Sequence, residues 1–118
     1  MRGISPVVSG IALLIMAGGC GDPPPKTDAE LGLNAQQASG RQIFIHDCGG
    51  CHNDASSSGS KGPSLQKLFR KQSLPSGLPA NDRFVEQTIL GGRGVMPGMG
   101  DSISDQQLAD LMAYLRTL

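Results

Sequence analysis

Cys48-Gly49-Gly50-Cys51-His52 is the stretch that decides how this chain is read. Its two thiols stand three residues apart, within one helical turn. Each can add across a vinyl group of a haem, and the next residue delivers its imidazole to the iron from the same side. This is the attachment pattern of a c-type haem. The two intervening glycines suit close approach to a flat macrocycle. Two rival chemistries use the same thiols. A zinc site needs four good ligands; His46 could assist, but Cys20, the remaining thiol, lies across a linker. A dithiol redox motif prefers a strand-to-helix setting, and no segment of this chain alternates like a strand. Covalent haem is therefore the expected cofactor, with His46 an ordinary surface residue on the helix before the motif.

Outward from the motif, the pattern is helical. Asn34 is a plausible N-cap for a helix running to about Asp47, in which Gly40, Phe44 and Cys48 share one face. A short helix is expected from Ser64 to about Lys71, followed by a loop containing Pro75, Gly77 and Pro79. Asn81 or Asp82 can cap a helix carrying Phe84, Val85, Thr88 and Ile89, stopped by Gly91 and Gly92. After the loop 93–100, Ser104 opens the last helix with Gln107 in a capping box. Leu108, Leu111, Met112 and Leu115 form its apolar stripe. Residues 34–118 therefore read as one all-α domain.

The first 19 residues read as a signal peptide. Arg2 supplies the positive start, and the apolar run from about Val7 to Ala17 is shorter than the ~20 residues a membrane-spanning helix needs. Ala17, Gly18 and Gly19 then precede Cys20, resembling the lipobox of bacterial lipoproteins, although that family prefers Leu where Ala17 stands. A lone thiol outside the cytoplasm is a liability unless capped, and lipid on Cys20 would cap it. A plain secreted form or a Cys20 disulfide dimer is the alternative. Residues 20–33 read as a linker, with Pro23, Pro24 and Pro25 favouring an extended polyproline helix. The expected location is the periplasmic side of a bacterial membrane.

From about residue 37 to 118 the chain resembles the class I cytochromes c. Gly40 and Phe44 stand eight and four residues before the first motif Cys, as in that family, and Leu111, Tyr114 and Leu115 repeat its Leu-x-x-Tyr-Leu signature. The resemblance implies about four helices wrapped around one haem c, with the first and last helices crossing at Gly40. Gly62-Pro63-Ser64-Leu65 matches the family's Gly-Pro-x-Leu segment. This implies a hydrogen bond from His52 Nδ1–H to the Pro63 carbonyl, which would make the iron-bound nitrogen more basic, and packing of Leu65 and Leu68 on the haem. The residues alone leave Met96 and Met99 equal candidates for the sixth iron ligand. The family's Met-Pro pair assigns it to Met96, a soft neutral ligand that raises the potential.

Composition bounds what remains. With ten basic and ten acidic residues the formal charge is zero, against bulk nucleic-acid binding, which needs a basic field. Only 3% of residues are aromatic and none is Trp, a thin core that a bound cofactor would thicken. Lys61, Lys67, Arg70 and Lys71 cluster after the motif, while Asp101, Asp105 and Asp110 come late. With both axial positions filled by His52 and Met96, no substrate could reach the iron, and the chain is expected to be no enzyme. The expected function is electron transfer, as a tethered carrier between redox partners (a dehydrogenase, an oxidase or another cytochrome), or as the dedicated haem subunit of one such complex. A ligand-binding or peroxidatic haem protein would require Met96 to dissociate.

Overall fold

The computed structural model describes Gly19 and residues 21–118. Cys20 and nearly all of the expected signal segment lie outside the described residues. Among those described, the chain is all-helical, with helices α1 (Ala35–Ile43), α2 (Asp82–Gly91) and α3 (Asp105–Leu115). Each begins at a side-chain cap. Asn34 and Ser104 sit in capping boxes with Gln37 and Gln107, and the Asn81 side chain accepts from the Phe84 amide. Such caps satisfy amide donors that have no partner within the helix.

Two expected helices end differently from their sequence pattern. The first does not run on as an α-helix to Asp47. After Ile43 it widens into a π turn, Phe44–Cys48, closed by the Gly49 amide on the Phe44 carbonyl at 2.8 Å. π turns are rare and cluster at functional sites. This one leaves Phe44 in the core while Cys48 is only partly buried. The segment 64–71 contracts to a single 3₁₀ turn, Leu68–Arg70. Lys67 holds a left-handed backbone, φ +57°, which an α-helix cannot pass through.

The core forms where α1 crosses α3. Gly40 is buried there, and a Cβ on it would fall inside the Asp110 carbonyl group and 2.9 Å from Tyr114 Cβ. Only a residue without a side chain permits this approach. Beside the crossing, Phe44 and Tyr114 meet at 5.7 Å between ring centroids, tilted by 54°, a favoured aromatic geometry. Leu111 is 0% exposed and Met112 1%. Each such side chain stabilises the fold by about 1.5–3 kcal/mol through burial. The Tyr114 hydroxyl leaves this core to donate to Asp54 Oδ2 at 2.5 Å, tying α3 to the loop after His52.

Residues 27–33 fold as a compact strap against the domain. The Leu31 amide donates to the Thr27 carbonyl and the Leu33 amide to that of Asp28. Arg41 of α1 clamps the strap, with one guanidinium nitrogen 2.6 Å from Asp28 Oδ1 and another 2.7 Å from the Lys26 carbonyl. The extended stretch is thus confined to residues 21–26, all exposed. Among the described residues no helix is long and apolar enough to cross a membrane.

Candidate functional site

The π turn hands the chain to a tight coil. The Cys48 carbonyl accepts from both the Cys51 and His52 amides, at 3.0 and 2.9 Å, bringing both thiols and the imidazole to one end of α1. The loop 53–65 then folds back over them. The Gly62 amide donates to the Cys51 carbonyl and the Leu65 amide to that of Asn53, both at 2.8 Å. This return sets Pro63 beside the imidazole, with His52 Nδ1 2.8 Å from the Pro63 carbonyl oxygen. A carbonyl can only accept, so Nδ1 is the donor of this bond, and Nε2 is the ring nitrogen it leaves uncommitted. Gly62 makes room for the ring. A Cβ there would lie 2.6 Å from His52 Cε1 and 2.9 Å from Nδ1.

The facing wall is the loop after α2. Arg93 and Met96 exchange both backbone hydrogen bonds, at 3.0 and 2.9 Å, while the Met99 amide donates to the Ile89 carbonyl and the Gly100 amide to that of Leu90. Gly92, with φ +69°, lets the loop turn back this closely, for a Cβ there would meet Met96 O and Gly98 N at 2.5 Å. Between the two walls lies a cleft of about 530 Å³, within the ~300–1,000 Å³ of small-molecule sites.

Every haem-site residue expected within the described part of the chain lines this cleft: Cys48, Cys51, His52, Pro63, Leu65, Leu68 and Met96, together with the competitor Met99. Met99 also packs against the hydrophobic core, which Met96 does not. Cys20 lies outside the described residues. His46 stays on the surface, its ring 2.6 Å from Asp47 Oδ1, and does not line the cleft.

The donor set fits a covalently held haem better than its rivals. Among the described residues no three His, Cys, Asp or Glu side chains converge on a point where a metal ion would sit, so these residues do not offer zinc its usual four ligands. Cys48 and Cys51 are not bonded to one another. Burial, reinforced by Asp47, pushes the Cys48 thiol up to about 11, the wrong direction for a thiolate nucleophile. Two thiols, an imidazole with one available nitrogen, and a thioether share one largely apolar space.

Sequence reasoning missed three contributions. Val85, Thr88 and Ile89 of α2 floor the cleft; their i, i+3, i+4 spacing reads as plain helix packing until the cleft is known. Gly62 looks like a turn residue, although its role is to clear the imidazole. Asp54 carries no local signal for its bond to Tyr114, sixty residues away. Of the clustered charges, Lys61 and Lys71 reach the cleft, joined by Arg93, whereas Asp101, Asp105 and Asp110 do not.

Comparison with known proteins agrees with this architecture. Residues 35–115 match the family described as cytochrome C oxidase, cbb3-type, subunit III. The chain is 34% identical over 104 residues to one subunit of the nicotinate dehydrogenase of Pseudomonas putida, covering 78% of this chain but only 8% of that protein. It is 32% identical over 91 residues to a cytochrome c6-like protein of Nostoc sp., covering 77% of this chain and 74% of that one. With cytochrome c6 of Synechocystis sp. it shares 30% identity over 83 residues, covering 70% of this chain and 66% of that one. A family match across nearly the whole folded part, joined to an all-helical fold around one large cleft, places the chain among the monohaem class I c-type cytochromes, which transfer electrons through covalently bound haem c.

Proposed function

We propose that this chain is an exported electron carrier with one haem c, held by thioethers from Cys48 and Cys51 and ligated by His52 and Met96. The observation that carries the reading is the His52–Pro63 bond, which commits one ring nitrogen as donor and leaves the other as a base facing the cleft. A bonded partner on the far nitrogen fixes the ring and makes the ligating nitrogen more basic. Met96 supports the reading as a cleft thioether not committed to the core. Pro63, Leu65 and Leu68 give the pocket apolar lining. The haem supplies a reversible one-electron couple. With the iron ligated by both His52 and Met96, no position would remain for a substrate, and transfer would run through the cleft mouth. Val95, 98% exposed, lines this cleft together with Lys61, Lys71 and Arg93 against one carboxylate, Asp47, a net cationic lining that suits an acidic redox partner.

Lipid on Cys20 would tether the domain to a membrane on the periplasmic side. Residues 21–26 then form the spacer before the Arg41 clamp, and at about 3.1 Å per residue they hold the domain within about 20 Å of that surface. A second reading, the fixed haem subunit of one dehydrogenase or oxidase complex, is favoured by the 34% identity to part of a nicotinate dehydrogenase subunit.

The test is to express the full chain in a host that matures c-type haem, fractionate it, and extract with acid–acetone. Haem should stay with the protein, and mass spectrometry should find a lipidated peptide starting at Cys20. Haem that leaves in acetone sinks the covalent attachment. A wholly soluble wild-type protein sinks the tether and leaves the carrier. Stable co-purification with one enzyme selects the second reading.

A further inference from the structure

Beside the haem cleft lies a second, smaller hollow of about 320 Å³, lined by Ser57, Ser64, Gln66, Lys67, Arg70 and Lys71. No carboxylate lines it, and Lys67, Arg70 and Lys71 are exposed side chains whose carbon stems contribute to its wall. Between Asp54 and Asp82 the chain contains four cations and no acidic residue, and three of those cations, Lys67, Arg70 and Lys71, surround this one space. None of the three is ion-paired among the described residues.

The hollow is built by hydrogen bonds. Ser64 is buried, its hydroxyl donating to the Ser56 carbonyl and accepting from the Gln66 amide. Gln66 Nε2 donates to the Ala55 carbonyl at 3.3 Å. These bonds spend Ser64 and Gln66 on stitching the loop 55–58 to the segment 64–66. Lys71 Nζ donates to the Ser64 carbonyl at 2.7 Å, which uses one of its three N–H groups and leaves two. The left-handed turn at Lys67 and the 3₁₀ turn after it bring residues 67, 70 and 71 to the same rim. Three like charges around one space repel one another. A small dianion would relieve that repulsion and offer acceptors to an arginine fork and two ammonium groups.

We propose that this hollow is a binding site for a free phosphate-class oxyanion, and that its occupancy tunes the redox site next to it. Ser64 and Lys71 line both the hollow and the cleft, so a bound anion lies one wall away from the haem; this second clause rests on the haem reading above. Negative charge there favours the oxidised state. By linkage, oxyanion affinity must rise by the same factor on oxidation.

The test uses the haem-loaded full chain, whose covalent haem spectrum is verified first, so a failure of the haem reading shows itself before any titration. Binding of inorganic phosphate is measured by equilibrium dialysis on the oxidised and reduced protein, and the midpoint potential is measured in phosphate and in chloride at equal ionic strength. The expected result is saturable binding at about one phosphate per chain, at least threefold tighter to the oxidised form. The potential should fall in phosphate but not in chloride, each tenfold preference corresponding to about 59 mV. Lys67→Gln with Arg70→Gln, neither of which lines the cleft, should weaken binding at least tenfold and abolish the phosphate-specific shift with the haem spectrum unchanged. Absence of saturable binding, an equal shift in chloride, or full binding by the double variant overturns the proposal. Phosphate-indifferent protein whose double variant slows transfer to a partner would instead make these cations a docking surface for acidic side chains, and would also overturn it.

Discussion

Gly40→Ala adds one methyl group at the point where α1 crosses α3, and its effect follows from the contacts at that crossing. The added Cβ would overlap the Asp110 carbonyl and lie 2.9 Å from Tyr114 Cβ. The first of these is helix backbone and cannot swing aside, so the helices must part. Overpacking of this kind costs about 1–3 kcal/mol. Separation also loosens the Phe44–Tyr114 pair, worth about 0.5–1.5 kcal/mol, while Ala returns about 1 kcal/mol of helix propensity. Taking the upper end of the first range, because the obstacle is backbone, gives a net destabilisation of about 3 kcal/mol. For a domain of this size that lowers Tm by roughly 12–24 °C. The assay is thermal or urea unfolding of the oxidised holoprotein, followed by far-ultraviolet circular dichroism and by the haem absorption. Gly91→Ala is the internal control. It lies at the end of α2 with nothing within 4 Å of the added Cβ, and should be neutral or stabilising by up to about 1 kcal/mol. If Gly40→Ala behaves like Gly91→Ala, the close crossing is not what holds this fold together.

Other outcomes follow from single contacts. Gly62→Ala pushes a methyl into the His52 ring, so the Pro63 bond should weaken and the holoprotein should lose about 1–3 kcal/mol, with an altered potential; an unchanged potential would mean that ring position is set elsewhere. Met96→Leu should abolish the weak red absorption band of methionine-ligated ferric haem and lower the potential, while Met99→Leu should preserve the band; the reverse pattern would transfer the ligand role to Met99. Burial first, and then the bond to Asp54, raise the Tyr114 phenol above its ordinary 10.0, so its protonated form is favoured in the fold. That stabilisation is complete below about pH 10 and is lost as pH climbs above it. Tyr114→Phe should therefore cost about 1 kcal/mol near neutrality, and the gap to wild type in urea titrations should close above pH 10. A constant gap across that range would remove the phenol from the alkaline response.

Much of this molecule is legible residue by residue, because the relevant physics is local. Cys48, Cys51 and His52 are informative through covalent spacing alone, and Asn34, Asn81 and Ser104 through capping bonds that span three residues. The stripe of α3 follows from helical period, and the resemblance to the cytochromes c supplied Pro63, Leu65 and Met96, which line one cleft with residues distant in sequence. What lay beyond local reasoning was set by contacts between separate segments. The π turn at Phe44–Cys48 reconciles a buried Phe44 with a cleft-facing Cys48, a conflict that arises only once α3 and the cleft exist. The segment 64–71 carries a helical pattern, yet the loop 53–65 must first return to the imidazole, and the bonds from Ser64 and Gln66 to that loop leave room for one 3₁₀ turn. The stretch 27–33 reads as linker until Arg41, on another element, gives it a partner. Gly62 shows the division most clearly. Its sequence neighbourhood marks a turn, but the constraint on it comes from an imidazole ten residues earlier that only the folded chain brings within 3 Å of the position a Cβ would take.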